Sequence, residues 1–223
     1  MKKIISIVVI AIIMTSCSSE NNSSTSFKPS LTSLNLASKV PSSLQQNSPE
    51  SYSQISQMET YMSMCSMYMN NTTGKSGSTN TWSYGGYTVT FTYSLVGSQY
   101  QFSYTMTQNA TVFYTLTGWE NTDGSAGHWN YSINTAVLGD PDGTNFDITF
   151  DWTKNSVGDY HFDMLFDMGI SGNYHYVSNI NHDYSGNSMY SIDSVQYFGT
   201  TWNSTGHGQY TNYTTSPPTV TNF

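Results

Sequence analysis

Charge is what this chain has least of: 9% of its 223 residues are Asp, Glu, Lys or Arg, against about 25% in an average soluble domain. Cations are scarcer still, with six Lys plus Arg against fourteen Asp plus Glu and a formal charge of −8. Phosphate backbones are held by basic patches, so this balance excludes nucleic acid as a partner. Short catalytic signatures are missing as well. The five histidines show no His-x-x-x-His spacing, no Gly-x-Ser-x-Gly elbow occurs, and there is no glycine-rich phosphate cradle. What is abundant is aromatic: five Trp, eighteen Tyr and ten Phe. Hydrophobic residues reach 37%, enough for a core and too many for a disordered chain. The length allows one domain of moderate size or two small ones.

The N-terminus reads as an address. Lys2 and Lys3 precede an apolar stretch from Ile4 to Met14, and the small residues Thr15 and Ser16 follow it. This is the layout of a secretory signal. Its apolar stretch is too short to cross ~30 Å of hydrocarbon as a helix. Met14-Thr15-Ser16-Cys17 resembles the lipobox of a bacterial lipoprotein precursor, with Met14 where Leu is usual. The resemblance covers the leader only. It implies a signal peptide over 1–16, lipidation of Cys17, and a membrane anchor in the bacterial cell envelope, at the outer membrane. The polar run after Cys17, continuing to about residue 30, suits a flexible tether. With Cys17 lipidated, Cys65 has no partner, so no disulfide is expected. Cys65 itself falls in an apolar helical pattern, as a small buried hydrophobe would.

Residues 31–223 read as a single β-rich domain. Its first stretch, 31–47, fits either a short helix or an extended arm. A helix is expected over about 49–69: Ser48 can cap it, Pro49 and Glu50 suit its first turn, and apolar residues recur from Tyr52 and Ile55 to Met69 at spacings of three and four. After residue 80 the period is two. Large residues alternate with Thr, Ser and Asn in segments such as Tyr87-Val89-Phe91-Tyr93, Tyr100-Phe102-Tyr104-Met106 and Phe146-Ile148-Phe150-Trp152. Such alternation marks antiparallel strands with one covered and one wet face. Short Gly- and Asn-rich connections favour neighbours in sequence being neighbours in space. The fold expected is therefore a mainly β antiparallel meander, an open curved sheet or half-barrel of eight to ten strands, covered by one N-terminal amphipathic helix. Sparse Leu, Ile and Val argue against a lipid-facing barrel. The segment from Trp119 to Gly127-His128-Trp129 is echoed by Trp202 to Gly206-His207-Gly208, without the strict period of a repeat fold.

Three sets of residues carry candidate chemistry. Asp140, Asp142, Asn145 and Asp147 surround a Gly turn and offer oxygen ligands for calcium, although the pattern lacks the terminal Glu of an EF-hand. A solvated Asp-Gly hairpin explains the same residues. Asp151, His161 and Asp163 share the polar face of the next hairpin. Pairing Trp152 with Tyr160 would set Asp151 opposite His161, a carboxylate–imidazole pair able to do acid–base work or simply to sit in water. Trp82, Trp119, Trp129 and Trp202 lie near turns or strand ends, where an indole can stack on a sugar or fill the core. Three readings follow: a lipid-anchored, non-enzymatic binding module for a glycan or partner protein; a lipid or lipoprotein carrier with an apolar cavity between sheet and helix; and an envelope hydrolase using Asp151, His161 and Asp163.

Overall fold

In the computed structural model, which describes residues 35–67, 77, 79–84, 86–139, 145–169 and 172–223, the alternating segments become twelve strands. They are β1 (Thr79–Tyr84), β2 (Tyr87–Val96), β3 (Gln99–Gln108), β4 (Thr111–Asn121), β5 (Ala126–Asn134), β6 (Asn145–Lys154), β7 (Tyr160–Asp167), β8 (Asn173–Ile180), β9 (Gly186–Ile192), β10 (Val195–Trp202), β11 (Gly208–Asn212) and β12 (Thr219–Asn222). Every pairing is antiparallel and between neighbours in sequence, so the sheet is a meander in the order β1 to β12. The expected architecture holds, with more strands than the eight to ten expected. The surplus lies where periodicity is silent: β12 is exposed at all four positions, and β1 (Thr-Asn-Thr-Trp-Ser-Tyr) has no aliphatic residue.

Turn chemistry sets the connections. Asn109-Ala110 and Asp193-Ser194 take positive φ at both positions, the conformation of a two-residue turn that matches strand twist. At the opposite end of the sheet one five-residue turn recurs at Asn155–Asp159, Asn181–Ser185 and Asn203–His207. In each, the fourth residue's N–H donates to the first Asn carbonyl at 2.9–3.1 Å, and the Asn N–H donates to the fifth residue's carbonyl at 2.8–3.0 Å. The fourth residue, Gly158, Tyr184 or Gly206, has positive φ. The Trp119 and Trp202 segments both form hairpins at this end, but Trp202 points into the core and Trp119 does not, so the echo stops at the turn.

One face of the sheet is the core. Phe91, Tyr104, Tyr114, Trp129, Trp152 and Phe162 are among its fully buried side chains. The rings form a cross-strand ladder: Phe102 to Trp129 at 5.4 Å, Trp129 to Trp152 at 6.1 Å, Phe150 to Phe162 at 6.1 Å and Tyr176 to Tyr190 at 4.5 Å. Each ring buries about 150–250 Å², so aromatics replace the scarce aliphatics as the source of hydrophobic stabilisation. Bulk on one strand is matched by its absence on the next. Gly127 lies beneath Trp152, where a Cβ would fall 2.0 Å from the ring, and Gly186 lies beneath Trp202 at 2.6 Å.

The N-terminal segment covers this face. A 3-10 turn at Leu36–Lys39, a single turn α1 (Leu44–Asn47) and α2 (Pro49–Met67) bring Leu36, Leu44, Ile55 and Met58 into the same core. Helix α2 starts where Ser48-Pro49 places it, and positions 68 and 69 lie outside the described residues. Polar contacts fix its seat over β8–β10: Ser51 Oγ donates to Thr200 Oγ1 at 3.0 Å and Ser188 Oγ to Gln54 Oε1 at 3.1 Å. Ser43 and Asn47 donate to the carbonyls of Thr205 and Gly206 at 2.6 and 2.9 Å, docking α1 onto the β10–β11 turn. Residues 31–47 thus resolve, from residue 35 onward, into short helical turns rather than an extended arm.

Candidate functional site

The opposite face of the sheet is polar, and its functional groups converge on β4–β8. Strand alternation turns Asp147, Thr149, Asp151 and Thr153 away from the core, and likewise His161, Asp163, Leu165 and Asp167 on β7. The register sets Asp151 directly opposite Asp163 and Asp147 opposite Asp167. Like charges placed so are destabilising. At the first pair both carboxylates are engaged from the flanking strands: His128 Nδ1 bonds Asp151 Oδ1, and His175 Nε2 bonds Asp163 Oδ1, each at 2.7 Å. A row His128–Asp151–Asp163–His175 therefore crosses β5 to β8.

The row is held in order from the next positions along the strands. Thr149 Oγ1 donates to Asn130 Oδ1 at 3.0 Å, and Asn130 Nδ2 lies 2.8 Å from His128 Nε2. The Nδ1–H tautomer of His128 satisfies the whole chain, donating to Asp151 while Nε2 accepts from Asn130. The carboxylates stay in contact with water, the side chains of Asp151 and Asp163 being 50% and 39% exposed. Trp119 stands directly opposite His128 on β4, half-buried on the same face, with Gln101 opposite it on β3.

The pairing of Asp151 with His161 expected from sequence is not formed. The β6–β7 loop closes at Lys154 opposite Tyr160, so Trp152 faces Phe162 and His161 faces Thr153. His161 bonds Asn179 at 2.7 Å instead, and Asn179 in turn bonds Asn187 at 2.9 Å. His128 and His175 were missed because no local motif marks them. Only the register of three hairpins brings them to Asp151 and Asp163. The four indoles also separate. Trp129 and Trp202 are buried, with N–H groups donating to Glu120 Oε1 at 2.9 Å and to the Tyr184 carbonyl at 2.8 Å. Trp82 packs edge-on against Tyr104 at the margin of the core. Trp119 alone of the four faces outward.

Of the calcium candidates, Asp140 and Asp142 lie outside the described residues. Asn145 opens β6 opposite Asn134, and Asp147 faces Ser132 and Asp167. Among the described residues no group of three or more His, Cys, Asp or Glu is arranged to hold a metal ion. Cys17 also lies outside the described residues, and no described helix is long and apolar enough to cross a membrane. Perturbed carboxyls cluster at the hairpin tips instead. Asn155 and the backbone and imidazole N–H groups of His182 bond Asp159 and hold its carboxyl at about 2, while Ser125 and Ser185 lower Asp123 and Asp183. These are turn-stabilising bonds to an ionised oxygen.

No family model, curated protein or solved structure matches the chain.

Proposed function

We propose that this chain is a lipid-anchored protein of the bacterial cell envelope, tethered through Cys17 at the outer membrane, whose sheet domain is a non-enzymatic binding module for an uncharged glycan. The observation that carries the reading is the outward-facing Trp119 set beside the pre-ordered row of His128, Asn130, Asp151 and Asp163. An indole offers a flat apolar face to the C–H side of a pyranose, and fixed carboxylate and amide groups are partners for its hydroxyls. The carrier reading loses support because the space between sheet and helix is filled by aromatic side chains. The hydrolase reading loses support because Asp151 and Asp163 are half-exposed and each is already engaged by a histidine.

Two experiments test the proposal. Glycan-array screening of the chain from Ser18 onward, followed by calorimetry, should yield a neutral-glycan ligand whose affinity falls about tenfold or more in Trp119→Ala. Lack of any binding at millimolar glycan, or binding indifferent to Trp119, would end the glycan reading. Independently, Cys17→Ser should move the protein from the membrane fraction to the soluble fraction and abolish palmitate labelling. Unchanged fractionation would remove the anchor.

A further inference from the structure

Among the described residues the sheet has two free edges, and they differ. Edge strands expose unpaired N–H and C=O groups that template pairing, and proteins blunt them with charge, proline, bulges or brevity. Strand β12 is four residues long and follows Pro217-Pro218. Strand β1 is six residues long, pairs with β2 without interruption, and carries no charge and no proline. Among the described residues nothing pairs with its outer side.

The direction of its free groups follows from the turn. Tyr84 and Tyr87 close a two-residue connection, so they exchange both hydrogen bonds, and the pattern alternates from there. Asn80, Trp82 and Tyr84 bond to β2, while the N–H and C=O of Thr79, Thr81 and Ser83 point off the sheet. Charge then indicates what can approach. From Ser76 to Trp119, which spans β1 to most of β4, there is no Asp, Glu, Lys, Arg or His. The net charge of −8 is carried elsewhere, so two copies can meet at this edge without repulsion. Val195 to Phe223 also lacks Asp, Glu, Lys and Arg, so the β12 edge is set apart by its brevity and its preceding prolines rather than by charge.

We infer that β1 is the self-association edge of this protein, pairing antiparallel with β1 of a second copy about a two-fold axis at Thr81. In that register Thr81 faces Thr81 of the second copy, and Thr79 faces Ser83 in both directions. All three outward-pointing residues of each strand then gain their hydrogen bonds. Asn80, whose Nδ2 is buried without a hydrogen-bond partner among the described residues, comes to lie opposite Trp82 of the second copy on the core face. A two-fold axis normal to the sheet keeps both polar faces on one side. Seven inter-strand steps of about 4.8 Å separate the two Trp119 side chains by about 34 Å across the strands, and their register four residues from the axis separates them by about 27 Å along the strands. The contact is small, and confinement to a membrane surface would supply the effective concentration that it needs.

The pairing is independent of the glycan reading and is tested on the full chain in intact cells by cysteine crosslinking. Residues in a hydrogen-bonded antiparallel pair have Cα atoms about 5.5 Å apart, within disulfide reach. Under mild oxidation Thr81→Cys should convert most of the chain to a covalent dimer. Thr79→Cys and Ser83→Cys should crosslink when co-expressed but not singly. Val220→Cys on the β12 edge, and the parent chain with its own Cys65, should remain monomeric. Absence of a Thr81→Cys dimer overturns the inference, as does a Val220→Cys dimer of equal yield. So does Thr81→Cys shielded from a soluble thiol reagent in a monomeric chain, which would mean that a segment of the same chain covers β1.

Discussion

At the residue scale the glycine–aromatic pairs show how a core poor in aliphatics is packed. Gly127 and Trp152 are register partners, and the ring occupies the space a Cβ would need, with three ring atoms at 2.0–2.6 Å. The clash is with a ring that is 1% exposed and ringed by other aromatics, so it cannot swing away. Gly127→Ala should therefore destabilise the fold by about 1–3 kcal/mol, the range for overpacking. Urea denaturation monitored by far-UV circular dichroism reads this as a lower midpoint at unchanged slope. Asp159 gives a prediction in pH. Its carboxyl is held at about 2 when folded, against about 3.9 in an unfolded chain. A folded value below the unfolded one means that the stabilisation is complete above the unfolded value and is lost as pH falls through the folded one. Asp159→Asn should therefore melt below the parent at neutral pH, and the gap should close between pH 5 and pH 2. A gap that persists at pH 2 would show that the bonds from Asn155 and His182 do not depend on the ionised oxygen.

At the element scale the recurring five-residue turn separates what sequence reveals from what it conceals. Alternation identified the strands and their faces from Tyr87 to Phe166, because a one-residue slip would bury Thr and expose Phe. It could not identify the register of β6 on β7. A two-residue slip leaves every side chain on its own face, so setting Trp152 opposite Tyr160 or opposite Phe162 satisfies the pattern equally. The loop decides, and its five-residue length follows from Asn155. That side-chain oxygen accepts the N–H groups of Val157, Gly158 and Asp159 at 2.9–3.1 Å. This is why the Asp151–Asp163 row could not be read from the chain. The turn also predicts an ordering of substitutions. Tyr184 occupies the left-handed position at φ 69° that Gly fills in the sister turns, a conformation costing a residue with a Cβ about 1–2 kcal/mol. Tyr184→Gly should be neutral or stabilising by up to about 1 kcal/mol. Gly158→Ala should cost about that amount, since its Cβ meets only His182 at 3.6 Å. Gly206→Ala should cost most, because its Cβ would also fall 2.9 Å from the backbone nitrogen of Leu44 and lift α1 from the turn. Thermal melts of the three variants check the order.

At the scale of the whole molecule, a sheet built entirely from neighbouring hairpins is tied into one unit by its N-terminal segment. Hydrogen bonds link Gln54 to Ser188 and Ser51 to Thr200 across 134 and 149 positions of chain. The buried cluster runs without a break from Leu36 and Ile55 through β2–β8 to Trp202. Hairpins alone would make a quasi-linear array able to fray strand by strand, with one face of aromatic rings open to water. The helix removes that face from water and couples the strands beneath it to the rest. Ile55 of α2 is fully buried in the shared core. Ile55→Ala should cost about 2–5 kcal/mol, a fall in Tm of roughly 5–15 °C for a chain of this size. More telling than the size is the shape of the transition. Trp129, Trp152 and Trp202 report on β5, β6 and β10, so their fluorescence follows the sheet, whereas far-UV ellipticity follows helix and sheet together. If the helix and sheet form one cooperative unit, both signals shift by the same amount and stay coincident. Loss of ellipticity at a lower temperature than the fluorescence change would show instead that α2 melts away from a sheet able to stand alone.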